Sequence, residues 1–277
     1  MWDSFEDGAF PRHKAGGRFL DPSKAHILNH AGEHFRVRGP LNLPRCPQGR
    51  PVIAQAGSSE PGRRLASRVA DMIFTAQSVL SEGQAFYREI KARAVAHGRA
   101  PDDVKVMPGL MVITGRTEAE ARRLYEELQV LVDDTTAMRL LARLTGDLDI
   151  FRYPPDGPLP DLPPSNAARA RQEHLMAKAR REGLSIRQVA RYLGTSLGHQ
   201  LVVGSPPQVA DAMHEWLEAE ACDGFMLMFP FYPKPLDDFV ALVVPELQRR
   251  DIHRTAYEGR TLRENLGVPV PANRFAR

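Results

Sequence analysis

PVIAQAGSSEPGRRLASRVA, residues 51–70, runs from an apolar segment through a small-residue turn into an amphipathic helical pattern. Pro51 to Ala56 is a short apolar run closed by glycine, the pattern of a buried parallel strand. Gly57 permits a tight turn, and Ser58 and Ser59 bring hydroxyls and main-chain N–H groups to the start of the next helix. The stretch therefore predicts a βα unit. Its turn could hold an anion on unpaired donors at the positive end of the helix dipole, or it could use Gly57 and a capping Ser59 for geometry alone.

Outward from this unit the rhythm repeats. Val52–Ala56, Met72–Ala76, Val104–Thr114 and Gly224–Phe229 read as short, strongly apolar strands. Between them, Ser81 with Gln84 resembles a capping box, followed by Phe86, Ile90 and Ala94 on one face until Gly98 closes the helix. Thr117 with Glu120 repeats the device, with Leu124, Leu128 and Leu131 as the expected buried stripe. Ser205 with Gln208 repeats it again, with Pro206 and Pro207 in the first turn and Val209, Met213, Trp216 and Leu217 on the apolar face. Strands alternating with capped helices predict an α/β fold with a parallel sheet. After the last strand, Leu236, Phe239, Val240, Val243 and Leu247 predict an amphipathic helix kinked at Pro245.

Five segments follow from these patterns. Residues 1–50 form an irregular excursion, 51–132 carry βα units, and 133–204 form a helical and proline-rich insertion. Residues 205–250 hold the last helix, last strand and C-terminal helix, and 251–277 form a tail. The insertion contains YPPDGPLPDLPP, Tyr153 to Pro164, whose prolines exclude regular structure and predict an extended loop.

Composition narrows the function classes. The 277 residues are 43% hydrophobic, enough for a substantial core. The 37 basic and 34 acidic residues leave a charge of +3 and intermingle, which argues against nucleic acid as a partner. Cys46 and Cys222 stand far apart with no CxxC pair, so a reducing, cytoplasmic setting is expected. No apolar run is long enough to cross a membrane. His26, His30 and His34 would need a helix to act as metal ligands, and Gly32 disfavours one, so no metal is expected.

Three ordered segments, Gly32–Arg63, Gly198–Asp211 (GHQLVVGSPPQVAD) and Asp223–Pro230 (DGFMLMFP), resemble the flavin-dependent monooxygenases of the nitrilotriacetate and dibenzothiophene-sulfone type, within the bacterial-luciferase-like superfamily. The resemblance implies a TIM-type (β/α)8 barrel, of which this chain carries the C-terminal half, strands five to eight, with helical and proline-rich insertions. It also implies reduced FMN from a separate flavin reductase, O2 as co-substrate, and a small organic substrate such as an aminopolycarboxylate, a sulfur heterocycle or an alkane. A half barrel exposes open strand edges. Weak or absent activity of the chain alone is therefore expected, along with a homo-oligomer or a complementing N-terminal half as partner. The alternative is a non-catalytic flavin-binding or barrel-completing subunit, or a truncated gene product.

The resemblance assigns the FMN phosphate to Ser59 and Ser58, with Gly57 and Ala56 allowing close approach. It places His199 of the Gly-His pair near the active-site pocket, where an imidazole could move a proton; a loop histidine satisfying backbone groups is the other reading. Phe229, with the FPFYP loop at residues 229–233, is the expected pocket wall at the C-terminal mouth. Arg36, Arg38 and Arg45 could attract an anion, or pair with nearby acids.

Overall fold

The structure, a computed structural model, describes residues 1–146, 148–161 and 169–275, without the side chains of 169–171, 173 and 174. Leu162 to Pro164 of the expected proline-rich loop therefore lie outside the described residues, as do a few residues of the expected insertion and tail.

The chain divides into two compact units, Met1–Ile53 with Ala256–Arg277, and Ala54–Thr255. The first unit has little regular structure: a 3-10 turn at Pro22–Lys24, a hairpin of the two-residue strands β1 (His30–Ala31) and β2 (Arg36–Val37), and a C-terminal helical turn described below. Buried polar contacts hold it together. The Arg263 side chain is 1% exposed, and its guanidinium donates to the carbonyls of Arg50, Pro51 and Pro269. Arg45 pairs with Asp3 and Asp7 and donates to Pro271 O.

The second unit begins with β3 (Ala54–Ala56), α1 (Glu60–Val69), β4 (Met72–Thr75), α2 (Leu80–Ala96), β5 (Lys105–Thr114) and α3 (Glu118–Leu131). Three helices follow, α4 (Asp134–Leu144), α5 (Arg169–Glu182) and α6 (Ile186–Ser196). Next come β6 (Gln200–Gly204), α7 (Pro206–Glu218), β7 (Met226–Met228), α8 (Lys234–Asp238) and α9 (Val244–Arg249). The helical turn of the first unit is α10 (Leu262–Leu266).

All ladders of the second unit are parallel. β3 pairs with β4, and β4 with β5 at residues 105–108. β6 and β7 both pair with Leu110 and Met111, so they occupy opposite edges of β5. Val106 O accepts the main-chain N–H of Asp223, which leads into β7, and Val106 N donates to the Asp223 carboxylate, whereas Lys105 N donates to Asp71 O, which leads into β4. One edge of β5 thus carries β4 and then β6, and the other carries β7. The four strands expected from the sequence are consecutive neighbours in a curled parallel sheet, and β6 is an addition to them.

Register sorts the side chains by face. Ile73 and Val106 pack under α1 and α2 with Ala66, Phe86 and Ile90, while Leu110 and Val112 pack with Val209, Phe239, Val243 and Leu247. The opposite face carries Ala54, Ala56, Met72, Phe74, Met107, Gly109, Met111, Met226 and Met228. Five of the nine methionines lie on that one face. Helices α4 to α6 build a separate core around Met138, Leu141, Ile186 and Leu193.

Several local expectations need correction. Helix α2 starts at Leu80 with Val79 as an N-cap that makes no side-chain bond, and Gln84 donates instead to Ala219 O. Thr117 does cap α3, but the Glu120 carboxylate takes the N–H of Arg116. Leu131 is 80% exposed, so the stripe of α3 borders a surface cleft and does not fill a core. The C-terminal helix is interrupted by a π turn, Phe239–Val243, placed just before Pro245, which has no N–H to offer the preceding turn.

At the N-terminal end of the strands, Lys91 Nζ donates to Val104 O at 2.8 Å and to Asp223 Oδ1 at 2.9 Å. Asp223 Oδ2 accepts the Val106 N–H, and Tyr87 donates its hydroxyl to Oδ1. Burial, followed by the adjacent Asp223 carboxylate, holds the Tyr87 phenol well above its usual pKa. The clamp joins α2, β5 and the entry to β7. Replacing Lys91→Met leaves the Asp223 carboxylate buried without its cation and should cost about 3–5 kcal/mol. Denaturant unfolding checks this, and Lys91→Met with Asp223→Asn should recover part of the loss.

Candidate functional site

Because the strands are parallel, the turns after β3, β4, β5 and β7 gather at one end of the sheet. The turn after β3 is the most regular. Gly57 has φ +114°, a conformation that glycine adopts without strain, and its N–H donates to Phe74 O. Ser59 caps α1, its Oγ accepting from Gly62 N. Pro61 contributes no N–H to the first turn. Within the described residues, no hydrogen bond takes up the main-chain N–H groups of Ser58, Ser59 and Glu60.

The charges around this turn favour an anion. Glu60 in the first turn would repel one, but the Arg93 guanidinium grips both its oxygens at 2.9 Å and holds its carboxyl below the usual range. Arg63 is occupied by Glu89 at 2.7 Å. What remains directed outward is the helix start itself, a set of N–H donors at the positive end of the α1 dipole. A methyl group added at Gly57 would meet only Gln55 Nε2, at 3.9 Å, so the outer surface of the turn is open to a ligand.

His199 lies elsewhere on the sheet. Leu197 and Gly198 adopt left-handed φ values of 53° and 79°, turning the chain from α6 into β6. The His199 ring is 5.2 Å from the Phe74 ring and inclined by 23°. A Cβ at Gly109 would stand 2.4 Å from its Nδ1, so the missing side chain of Gly109 makes the seat for the imidazole. The residue is 5% exposed, its N–H donates to Ser196 O, and its carbonyl accepts the Tyr192 hydroxyl. His199 therefore shares the methionine-rich face with Phe74 and Gly109.

Phe229, expected as pocket wall, instead turns to the helix side, where it packs edge-on against Phe239 and Tyr232. Period two explains the correction, since Met226 and Met228 take the other face. The residues that border a cleft are Pro230 and Phe231, with Ile113, Leu124, Leu128 and Leu131 opposite, around a volume of about 150 Å³. Only the general FPFYP signal pointed to it.

The remaining candidates separate clearly. Arg45 is spent on Asp3 and Asp7, which answers its role in favour of structure, while Arg36 and Arg38 are exposed. His26 bonds Glu6 and stacks on Phe275. Among the described residues, no three His, Cys, Asp or Glu side chains gather as a metal site. No helix among them is long and apolar enough to cross a membrane.

Burial pushes the Cys222 thiol up to about 12, so it is no nucleophile at neutral pH. The folded protein keeps that proton where the unfolded chain, with an ordinary thiol near 9.0, releases it. Stability should therefore fall as pH rises above 9, by up to about 1.4 kcal/mol per pH unit from this group. Urea midpoints at pH 8 to 10.5 should show a steeper fall for the wild type than for Cys222→Ala.

The family model described as luciferase-like monooxygenase matches residues 19–223. Nitrilotriacetate monooxygenase component A of Aminobacter aminovorans is 48% identical over 278 residues, 100% of this chain and 61% of the relative. N-acetyl-S-(2-succino)cysteine monooxygenase of Bacillus subtilis (strain 168) is 46% identical over 279 residues, 100% of this chain and 63% of the relative. The chain spans about three fifths of the length of these curated relatives. Among solved structures, DmoA from Hyphomicrobium sulfonivorans superposes with a TM-score of 0.85 at 30% identity, covering 96% of this chain and 56% of that one. The riboflavin lyase RcaE, solved with modified FMN and riboflavin, gives 0.76 at 32% identity, covering 97% and 60%.

Proposed function

The chain belongs to the luciferase-like monooxygenase family, and from that premise we propose that it takes part in oxygenating a small organic substrate with O2 and reduced FMN. The four neighbouring strands β3, β4, β5 and β7 are read as the fifth to eighth strands of a (β/α)8 barrel, with β6 as an extension of its rim. The reduced flavin comes from a separate reductase. That one relative is named as a component A supports a second protein in the system.

The observation that carries the cofactor reading is the run of untaken N–H groups at Ser58, Ser59 and Glu60, in the turn that Gly57 opens and Ser59 caps. These donors, with the Ser58 and Ser59 hydroxyls, hold the phosphate, and Ala56 beside Gly57 lets the ligand approach the main chain. The flavin supplies the electrons that activate O2. The methionine-rich face with Phe74 gives an apolar, polarisable floor that keeps water away from the reacting centre. His199, seated on Gly109 at that floor, exchanges a proton through its imidazole, shielded from bulk solvent. The apolar cleft at Pro230 and Phe231 lies at the same end of the strands as the phosphate turn, where barrel sites lie.

Two measurements test this reading. Ser58→Ala with Ser59→Ala should weaken FMN binding about tenfold or more in fluorescence titration, through two lost charge-assisted hydrogen bonds. Unchanged affinity would remove the phosphate from this turn. His199→Gln should keep FMN affinity and lower reductase-coupled substrate oxidation about a hundredfold; full turnover in that variant would remove His199 from the chemistry.

A further inference from the structure

The phosphate turn rests on a side chain whose own hydrogen bonding is incomplete. Gln55 is the middle residue of β3, and its neighbours Ala54 and Ala56 face the sheet side shared by Met72 and Phe74. Alternation sends the Gln55 side chain to the other side, beneath α1. There its Nε2 donates to Ala56 O at 2.7 Å, while its Oε1 is buried with no hydrogen-bond partner. The amide reaches under the first turn of the helix: a Cβ at Gly62 would stand 3.1 Å from Gln55 Nε2 and 3.0 Å from Ser59 Oγ.

An unmade hydrogen bond on a buried carbonyl oxygen is costly, and an apolar side chain of the same length would avoid it. The amide must therefore do something that an apolar residue would not. The peptide between Ala56 and Gly57 gives its N–H to Phe74 O and its carbonyl to Gln55. Both ends of that peptide are thus fixed, and the next three N–H groups, at Ser58, Ser59 and Glu60, point wherever it directs them. Without the Gln55 amide, the Ala56 carbonyl would be free to swing towards a bound anion and repel it.

The geometry points to Gln55 as a positioning residue for the phosphate of the flavin, acting through the Ala56–Gly57 peptide and the α1 turn above it. The inference rests on the cofactor reading given above. Its signature is selectivity: Gln55 tunes affinity for a flavin that carries a phosphate and has no effect on one that lacks it. A residue needed only for folding would alter both alike.

The test is fluorescence titration of FMN and of riboflavin against the wild type, Gln55→Met and Gln55→Glu. Gln55→Met keeps the length and removes the amide, and Gln55→Glu removes the donor and adds a negative charge under the turn. FMN affinity should fall about tenfold in the first and further in the second, the equivalent of one or more good hydrogen bonds. Riboflavin affinity should stay within about twofold of the wild type. Equal losses for both flavins, unchanged FMN affinity, or a Gln55→Met protein that binds neither would overturn the role. A wild type that binds FMN no more tightly than riboflavin would instead sink the phosphate reading itself, and with it any role for Gln55 in that reading.

Discussion

The fold depends on the two edges of one strand. β5 is ten residues long, against three to five for its neighbours, and every N–H and C=O along it needs a partner once buried. β4 is too short to supply them all. It pairs with residues 105–108 and ends, and β6 takes over the same edge from residue 110. The junction between them is where His199 sits. At that level β5 has Gly109, and the space left by the absent side chain admits the imidazole. The length of one strand and one glycine thus create both the break in the neighbouring edge and the residue that fills it.

Much of this architecture was legible because hydrophobic runs and turn residues agreed. The four apolar runs stand out for their flanking caps and glycines, and Ser59 caps α1 as its place after Gly57 suggests. β6 escaped notice for a physical reason: only Leu201, Val202 and Val203 are apolar, all three remain partly exposed, and the partner lies some ninety residues away at the far end of β5. Ser81 misled because its spacing to Gln84 imitates a capping box, whereas the helix begins one residue earlier and Gln84 is drawn to Ala219. Phe229 misled because a strand of five apolar residues does not declare which alternate set faces which side. Only the pairing of Met226 with Gly109 and of Met228 with Met111 decides that.

The candidate site was legible in its glycine–serine turn and opaque in the groups that surround that turn. Gly-Ser-Ser before a helix is a local pattern, readable without tertiary contacts. The neutralisation of Glu60 by Arg93 joins two helices across 33 positions of sequence, and without it an acidic residue in the first turn would have argued against an anion. Gln55 reads in the sequence as a polar break in an apolar strand. Its place beneath the first turn of α1 appears only in the fold.

The buried clamp and the candidate site lie at opposite ends of the same sheet. The Lys91, Asp223 and Tyr87 cluster closes the end where the strands begin, and it is satisfied by carbonyl and N–H groups of β5 and its approach. Breaking it leaves a buried charge, so that end tolerates little change. At the other end the strands finish in turns with donors untaken, an exposed Phe231 and a cleft bordered by Leu128 and Leu131. Those groups give up part of the stability that full burial would provide. A parallel sheet makes this division unavoidable, because all its strand termini of one polarity face the same way and every helix that follows a strand opens its positive end there.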